Sequence, residues 1–372
     1  MKRRVAVWGL GNVGVPALRT VVAHPELELA GCIVHAAEKE GRDAGELAGL
    51  SPIGVHATRD VEAGLAGVDA LVYAATQDFR PAEARDDLCD ALARGVDVVT
   101  AGLYALLHPP TAPAPLRERF EAACREGGSR FLTSGIDPGF AMDLLPLVLS
   151  GVCERIDEIR IVENFNYASY EVPPAVRAII GFGTALDRRP PMLSPGVPSG
   201  VWGGSLHALA GALGFALDGL EESVELHPLE RDVEVGGETL RAGTLGAFRF
   251  EVRGLAGGRA PLVVEHVTRI VDDTAPQWPR PVAGASGVGM GHHQVRLTGR
   301  PDLTLTLECH GAQGDHVAGG NAAAAARLVH ALPWLARLEP GLVCGADLPL
   351  IAGRGLVAGS SKMGMPIAGR TS

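Results

Sequence analysis

Val5-Ala6-Val7-Trp8-Gly9-Leu10-Gly11-Asn12-Val13-Gly14 is the stretch whose reading decides the fold. An apolar run enters three glycines at G-x-G-x-x-G spacing, and residues 15–23 continue with a helical pattern. Gly9 permits the tight turn out of a strand. Gly11 has no side chain, so a pyrophosphate can approach the backbone around Asn12 and Val13. Gly14 lets helix and strand pack closely. The helix N-terminus supplies free N–H groups for phosphates. Strand, glycines and helix in this order predict a dinucleotide site. The alternative is the same Rossmann-like fold without a cofactor.

Composition bounds the rest. The chain has 372 residues, enough for two domains and a sizeable core, and its 47% hydrophobic content implies a folded globular protein. A formal net charge of -10 argues against nucleic-acid binding by backbone neutralisation. No window approaches a membrane span free of Gly, Pro and charge. Met1-Lys2-Arg3-Arg4 enters the first strand at once, so no signal peptide is expected and the expected compartment is cytoplasmic. The cysteines contain no C-x-x-C, so neither a disulfide framework nor a zinc site is expected. Lysine is confined to Lys2, Lys39 and Lys362, which nearly removes it from the catalytic candidates.

Outward from the glycine loop, residues 27–34 read as a second strand. Its end is where NAD enzymes usually carry an acid for the ribose hydroxyls. Here it continues His35-Ala36-Ala37-Glu38-Lys39, then Gly41-Arg42-Asp43. Small residues with Lys39 and Arg42 nearby suit a 2′-phosphate, which favours NADP. Glu38 holding a ribose is the NAD alternative, and solvated loop charges are the structural one. Residues 54–58 are a short strand candidate and 68–75 a buried strand ending at Thr76 and Gln77, expected cofactor neighbours. Residues 96–101 form the fifth predicted strand, with Gly102-Leu103-Tyr104 at its carboxyl end, where ligands of open parallel sheets bind. A sixth, residues 128–134, leads into Ser134-Gly135-Ile136-Asp137-Pro138-Gly139. Asp137 is placed either as a turn residue or as part of the site.

The alternation changes near Gly151. Residues 154–165 read as a long strand, leaving through Asn164, Asn166, Tyr167 and Tyr170, which can line a pocket or the edge of a core. Residues 173–181 look helical, 188–200 form a Pro/Gly-rich lid or connector, and 205–217 an apolar helix preceded by Trp202. Strand candidates follow at 223–226, 244–253, 261–271, 294–299 and 303–309, with hairpin signals at Gly236-Gly237 and Gly257-Gly258. His266 lies on one of these strands, and His292 and His293 precede another. Adjacent histidines rarely share one metal, so no metal site is expected. Residues 320–334 form an Ala-rich helix before a glycine-rich tail. The expectation is an α/β chain: a Rossmann-type parallel sheet in residues 1–150, a second α+β domain on a mixed or antiparallel sheet in 151–319, and a helix and tail in 320–372 returning to the first domain. The exposed face of the second sheet is a candidate dimer interface.

The glycine loop, Gly41-Arg42-Asp43-Ala44-Gly45-Glu46-Leu47, Asp137-Pro138-Gly139-Phe140-Ala141-Met142-Asp143, Gly181-Phe182-Gly183 and residues 347–355 together resemble the 2,4-diaminopentanoate dehydrogenase family. That family includes native amine dehydrogenases and is dihydrodipicolinate-reductase-like. The resemblance implies NAD(P)-dependent oxidative deamination of an amine, or the reverse reductive amination. It also implies a homodimer whose substrate domain closes over the nicotinamide. One departure stands out. Amine-active members carry a glutamate just after the fifth strand, and Ala101-Gly102-Leu103-Tyr104-Ala105 has no carboxylate. The chemistry then falls to other groups. Tyr104 comes first by position, although a phenol of ordinary pKa near 10 and no neighbouring lysine favour hydrogen bonding over base catalysis. Asp137 and Asn164 follow, and His266 or His292 could approach from the second domain. Reduction of another imine or carbonyl, and dinucleotide binding without catalysis, are the competing functions. The aromatic residues Tyr167, Tyr170, Trp202 and Trp278 suit a hydrophobic small-molecule substrate.

Overall fold

The structure is a computed structural model that describes residues 2–77, 79–167, 178–235, 237–280, 291–311 and 314–357. Its strands are β1 (Arg3–Trp8), β2 (Leu27–Ile33), β3 (Ala70–Tyr73), β4 (Asp97–Thr100), β5 (Arg130–Thr133), β6 (Arg155–Asn166), β7 (Gly219–Pro228), β8 (Val233–Val235), β9 (Glu238–Leu240), β10 (Leu245–Ala256), β11 (Arg259–Arg269), β12 (Gly291–Arg300), β13 (Leu303–Leu307) and β14 (Gly341–Val343). Its helices are α1 (Gly14–Ala23), α2 (Ala44–Leu47), α3 (Val61–Leu65), α4 (Pro81–Ala93), α5 (Ala114–Gly127), α6 (Leu144–Ser150), α7 (Val197–Ala212) and α8 (His316–Leu335). Among the described residues no helix is long and apolar enough to cross a membrane.

The first sheet has the order β14-β5-β4-β3-β1-β2 and is parallel throughout. Val5 to Trp8 are buried on both sides, as an interior parallel strand requires. Helix α1 turns Ala17, Leu18 and Val21 into a core shared with Ala325, Leu328 and Leu332 of α8, so the late helix covers the early sheet. Strand β14 extends the same sheet by pairing with β5. The strand candidate at 54–58 makes only isolated bridges, Ile33 with Thr58 and Asp43 with His56. The reason is local. The Asp43 carboxylate caps α2 through Gly45 N–H and also accepts from Ile53 and Gly54 N–H, which ties the segment to that helix instead of to a sheet edge.

The second sheet has the order β13-β12-β6-β11-β10-β7 and is mixed, with β6 and β11 parallel and the other neighbours antiparallel. One face carries Ile159, Ile161, Phe250 and Val264 against α7 and forms the second core. The other face is charged. Glu251 and Glu265 stand directly opposite each other on β10 and β11, an unfavourable pairing for like charges. Arg160 on β6 offsets it by donating to both, at 2.6 and 2.7 Å.

Several boundaries differ from the sequence expectation. Helix α7 begins at Val197, with Pro198 in its first turn, so Trp202 lies inside the helix and the irregular lid candidate shortens. Strand β12 begins at Gly291, so His292 and His293 are strand residues and not its lead-in. Tyr170, Gly236 and most of the helix expected at 173–181 lie outside the described residues.

Candidate active site

The glycine loop performs three separate steric tasks. Gly9 has φ 92°, and a Cβ there would lie 2.7 Å from Ala75 N at the end of β3. A Cβ on Gly14 would lie 1.7 Å from the Gly9 carbonyl oxygen. A Cβ on Gly11 would meet nothing within 4 Å, so that side of the residue is available to a ligand. The N-cap of α1 is Val13, which supplies no side-chain acceptor, and the first turn carries no acid. In the first turn Val15 N–H donates to the Gly11 carbonyl and Pro16 has no N–H, so the Gly14 N–H is the helix donor left for phosphate. The loop forms one wall of a cleft of about 400 Å³, whose other walls include Ala75, Thr76, Gln77, Thr100, Gly102 and Tyr104. Gln77 Nε2 donates to Thr100 Oγ1 at 2.6 Å, and the Gly102 N–H donates to the same oxygen at 3.2 Å. A Cβ on Gly102 would strike the Gln77 amide, at 2.3 Å from Nε2.

The residues after β2 divide. Lys39 Nζ donates to the Leu10 carbonyl at 2.9 Å, holding its charge against the glycine loop. Arg42 is exposed. His35 Nε2 lies 3.3 Å from Trp8 Nε1 and 3.3 Å from Arg80 Nη1. Burial, then the Arg80 charge, pulls the His35 pKa down. Arg80 also pairs with Asp87 at 2.9 Å, beside a Tyr73 hydroxyl that donates to the same carboxylate. Arg80 is a basic group near the end of β2 that sequence order alone hides, because it follows β3.

A second cluster forms where the two sheets meet. On β6, Glu163 is directly opposite His266 of β11 on one side and His293 of β12 on the other. The pairing register thus lines up His293, Glu163 and His266 across three adjacent strands, on the same face as Ile159 and Ile161. Asp137 reaches this row from the hairpin after β5, closed by a bridge between Ile136 and Gly139. His266 Nδ1 is 3.2 Å from Glu163 Oε2, and Asp137 Oδ2 is 3.2 Å from His293 Nε2 and 3.7 Å from His266 Nε2. Trp202 Nε1 of α7 donates to Asp137 Oδ1 at 2.7 Å. The Trp202 ring also packs on His266, with centroids 4.4 Å apart. Asp137 Oδ2, His266 Nε2 and His293 Nε2 are buried, and none of the three atoms makes a well-formed hydrogen bond.

The electrostatics separate the two carboxyls. Burial, then the adjacent Asp137 charge, raises the Glu163 pKa well above the ordinary carboxyl range. Burial alone would raise Asp137 too. The His266 imidazole, a hydrogen bond with Glu163 and the His293 imidazole outweigh it and hold Asp137 below that range. The two carboxyls are thus shifted in opposite directions, and Asp137 gives up its proton more readily than Glu163. Burial lowers His266 to about 4, which leaves it neutral. Asp137, Glu163 and His293 also present atoms within 4.8 Å of one another, a metal-like spacing that the reading of adjacent His292 and His293 overlooks. The Asp137 carboxylate, whose Oδ2 has no hydrogen-bond donor, suits a cation such as an ammonium group. A cavity of about 250 Å³ opens onto Asp137, Glu163 and His293, with Phe165, Tyr167 and Ile180 among its apolar walls.

Of the sequence candidates, Asp137 and His266 meet in this cluster. Tyr104 lines the nucleotide cleft. Asn164 points to the opposite face of β6, where it donates to the Pro279 carbonyl and accepts from Arg269 Nη1 at 3.1 Å. His292 is buried on that opposite face as well, next to His293 in a strand whose side chains alternate. Glu163 was missed. Its signal is the apolar alternation Ile159, Ile161, Glu163, which places an acid on the core face.

Residues 3–101 match the family described as dihydrodipicolinate reductase, N-terminus. The chain is 46% identical over 348 residues to an amine dehydrogenase of Streptomyces virginiae, covering 92% of this chain and 95% of that one. It is 24% identical over 261 residues to a 2,4-diaminopentanoate dehydrogenase of Acetoanaerobium sticklandii, covering 68% of this chain and 66% of the relative. The solved amine dehydrogenase of Mycobacterium smegmatis shares the fold, with a TM-score of 0.74 at 19% identity over 95% of this chain and 98% of that one. The near full-length identity to the Streptomyces protein makes this chain a member of the amine dehydrogenase family of NAD(P)-dependent oxidoreductases.

Proposed function

We propose that the chain interconverts an amine and the corresponding carbonyl compound, with Glu163 and Asp137 standing in for the glutamate absent from residues 101–105. The observation that carries this reading is the buried Asp137–Glu163 pair, its carboxyls shifted in opposite directions, facing a cavity with apolar walls. Asp137 supplies the charge that holds a substrate ammonium. Glu163 is the more accessible of the two, at 13% side-chain exposure against 6%, so it is the group that meets the nitrogen. In the oxidative direction the ammonium first loses a proton past the pair to solvent, which leaves a free amine. A bound nicotinamide, its dinucleotide held at the glycine loop, would supply the hydride acceptor for the carbon that bears the nitrogen. The iminium left behind adds water, and neutral His266 takes the proton that the water loses, relayed through Glu163. Collapse to the carbonyl compound releases ammonia. Trp202 fixes the Asp137 carboxylate throughout.

The nucleotide reading favours NADP over NAD. The residue that leaves β2 toward the cleft is His35 and not an acid, with Glu38 the first carboxylate after it, while Lys39, Arg42 and Arg80 are close in sequence or space. The division at 1–150, 151–319 and 320–372 is kept as the working domain scheme. A cytoplasmic homodimer is the working assembly, joined through the charged face of the second sheet, whose alternating Glu and Arg residues are able to complement a second copy. The test is a turnover screen of purified protein with amines, and with ketones in the presence and absence of ammonia, using both nucleotides. Amine oxidation and ammonia-dependent ketone reduction, with NADPH the better cofactor, are expected. Ketone reduction that ignores ammonia would replace the amine reading with a carbonyl reductase.

A further inference from the structure

Behind the Asp137 hairpin lies a second cavity, of about 210 Å³, that the proposed reaction does not use. Phe140, Leu307 and Ile351 are among its apolar walls, and Arg327 and His330 supply its polar groups. Ala323, Arg327 and His330 of α8 stand at i, i+4 and i+7, so one face of the helix presents all three. Arg327 is 9% exposed, and its Nε and Nη2 are buried without a hydrogen-bond partner. Among the described residues it forms no ion pair. Asp143 is a carboxyl that feels its charge, yet no hydrogen bond joins it to Arg327 Nε or Nη2. Both ring nitrogens of His330 are also buried and unpartnered. A buried cation without an anion is costly unless something supplies the missing charge.

We propose that this cavity binds a small carboxylic acid anion with an apolar tail. Its carboxylate pairs with the Arg327 guanidinium and accepts from a His330 ring N–H, while the tail lies along Phe140, Leu307 and Ile351. The apolar walls separate this ligand from an inorganic anion, which gains nothing from them. Ile136 lines this cavity and the acid cavity alike, so the occupant sits against the back of the hairpin that carries Asp137.

The test is isothermal titration calorimetry of the full-length protein with isobutyrate and benzoate, with sodium chloride at matched ionic strength as the control. Saturable binding is expected, with a Tm that rises with carboxylate concentration. Arg327→Met should weaken binding about tenfold or more, the size of a lost charge-assisted hydrogen bond. If that variant does not fold, Ala323→Phe decides, because it fills the cavity and leaves Arg327 in place; it should abolish binding. Glu163→Gln should bind the carboxylates as wild type does. No saturable binding, an equal response to chloride, binding that survives Ala323→Phe, or binding lost in Glu163→Gln would each overturn the proposal.

Discussion

Glu163 and His266 face each other across the parallel pair β6 and β11, with Oε2 and Nδ1 3.2 Å apart. Burial and the adjacent Asp137 charge make the first hold its proton more tightly than an ordinary carboxyl, and burial lowers the second to about 4. The contact joins an acid of raised pKa to a base, the arrangement through which a proton can pass. Glu163→Gln keeps the shape and the hydrogen-bonding capacity and removes the exchangeable proton. It should lower kcat by about 10²–10⁴-fold, the usual worth of a general acid or base. NADPH affinity should not change, because Glu163 is remote from the glycine loop in the first sheet. Steady-state kinetics and a nucleotide titration read the two effects separately, and an unchanged kcat would remove Glu163 from the reaction.

The next residue on the same strand predicts the opposite. Asn164 is 1% exposed and holds Arg269 and the Pro279 carbonyl on the far face of the sheet. Asn164→Ala leaves a buried guanidinium donor unsatisfied, which costs about 1–3 kcal/mol. At about 2–4 °C per kcal/mol for a domain of this size, thermal unfolding should show a clear drop in Tm. Below that Tm, kcat should stay near wild type. A kcat loss matching that of Glu163→Gln would mean that the alternation of β6 does not separate the two roles.

This pair of neighbours also explains how far the sequence could be read. The glycine loop and its strand are local, and their consequences for the first sheet follow from residues adjacent in the chain. The active-site row is not local. It depends on which strands neighbour β6 and on their register, and nothing near Glu163 in the chain names His266 or His293 as its partners. Asp137 could be singled out, because a polar residue at the end of a parallel strand has a known place. Asn164 reads in the sequence as a polar group leaving a strand, while no adjacent residue marks Glu163. Continuing the Ile159–Ile161 alternation by one step would have chosen the acid.

The glycine loop separates fold from binding. Gly14→Ala puts a methyl group 1.7 Å from the Gly9 carbonyl, so the loop and α1 cannot keep their packing. This variant should unfold at lower temperature and lose dinucleotide binding together. Gly11→Ala meets nothing within 4 Å and should fold with wild-type stability. The added methyl group takes the space that a pyrophosphate would fill, so NADPH affinity should fall by at least about tenfold, or about 1.4 kcal/mol. Differential scanning calorimetry beside nucleotide titration distinguishes the cases. Full NADPH affinity in Gly11→Ala would move the phosphates away from this loop.

Stability should depend on pH through buried groups of opposite sign. Burial lowers His266 and His292 from 6.5 to about 4, so the folded chain binds their protons more weakly than the unfolded chain. The stability they allow is present above 6.5 and is lost as pH falls from 6.5 through about 4. For the fully buried His266 that drop is worth about 3 kcal/mol. Glu163 works the other way. Its folded pKa is raised, so its contribution is full below the ordinary value of 4.5 and is lost as pH rises through the folded pKa. Asp137, with a lowered pKa, loses its contribution only as pH falls below its ordinary 3.8. Tm should therefore fall as pH is lowered from 6.5 to 4, with the histidines dominating. Glu163→Gln should gain stability relative to wild type as pH rises above 4.5. His292→Gln, placed outside the acid cavity, should flatten the acid limb while preserving kcat at neutral pH. A scan of Tm from pH 4 to pH 8 on the three proteins reads both signs, and an acid limb equally steep in His292→Gln would show that His292 takes up no proton on unfolding.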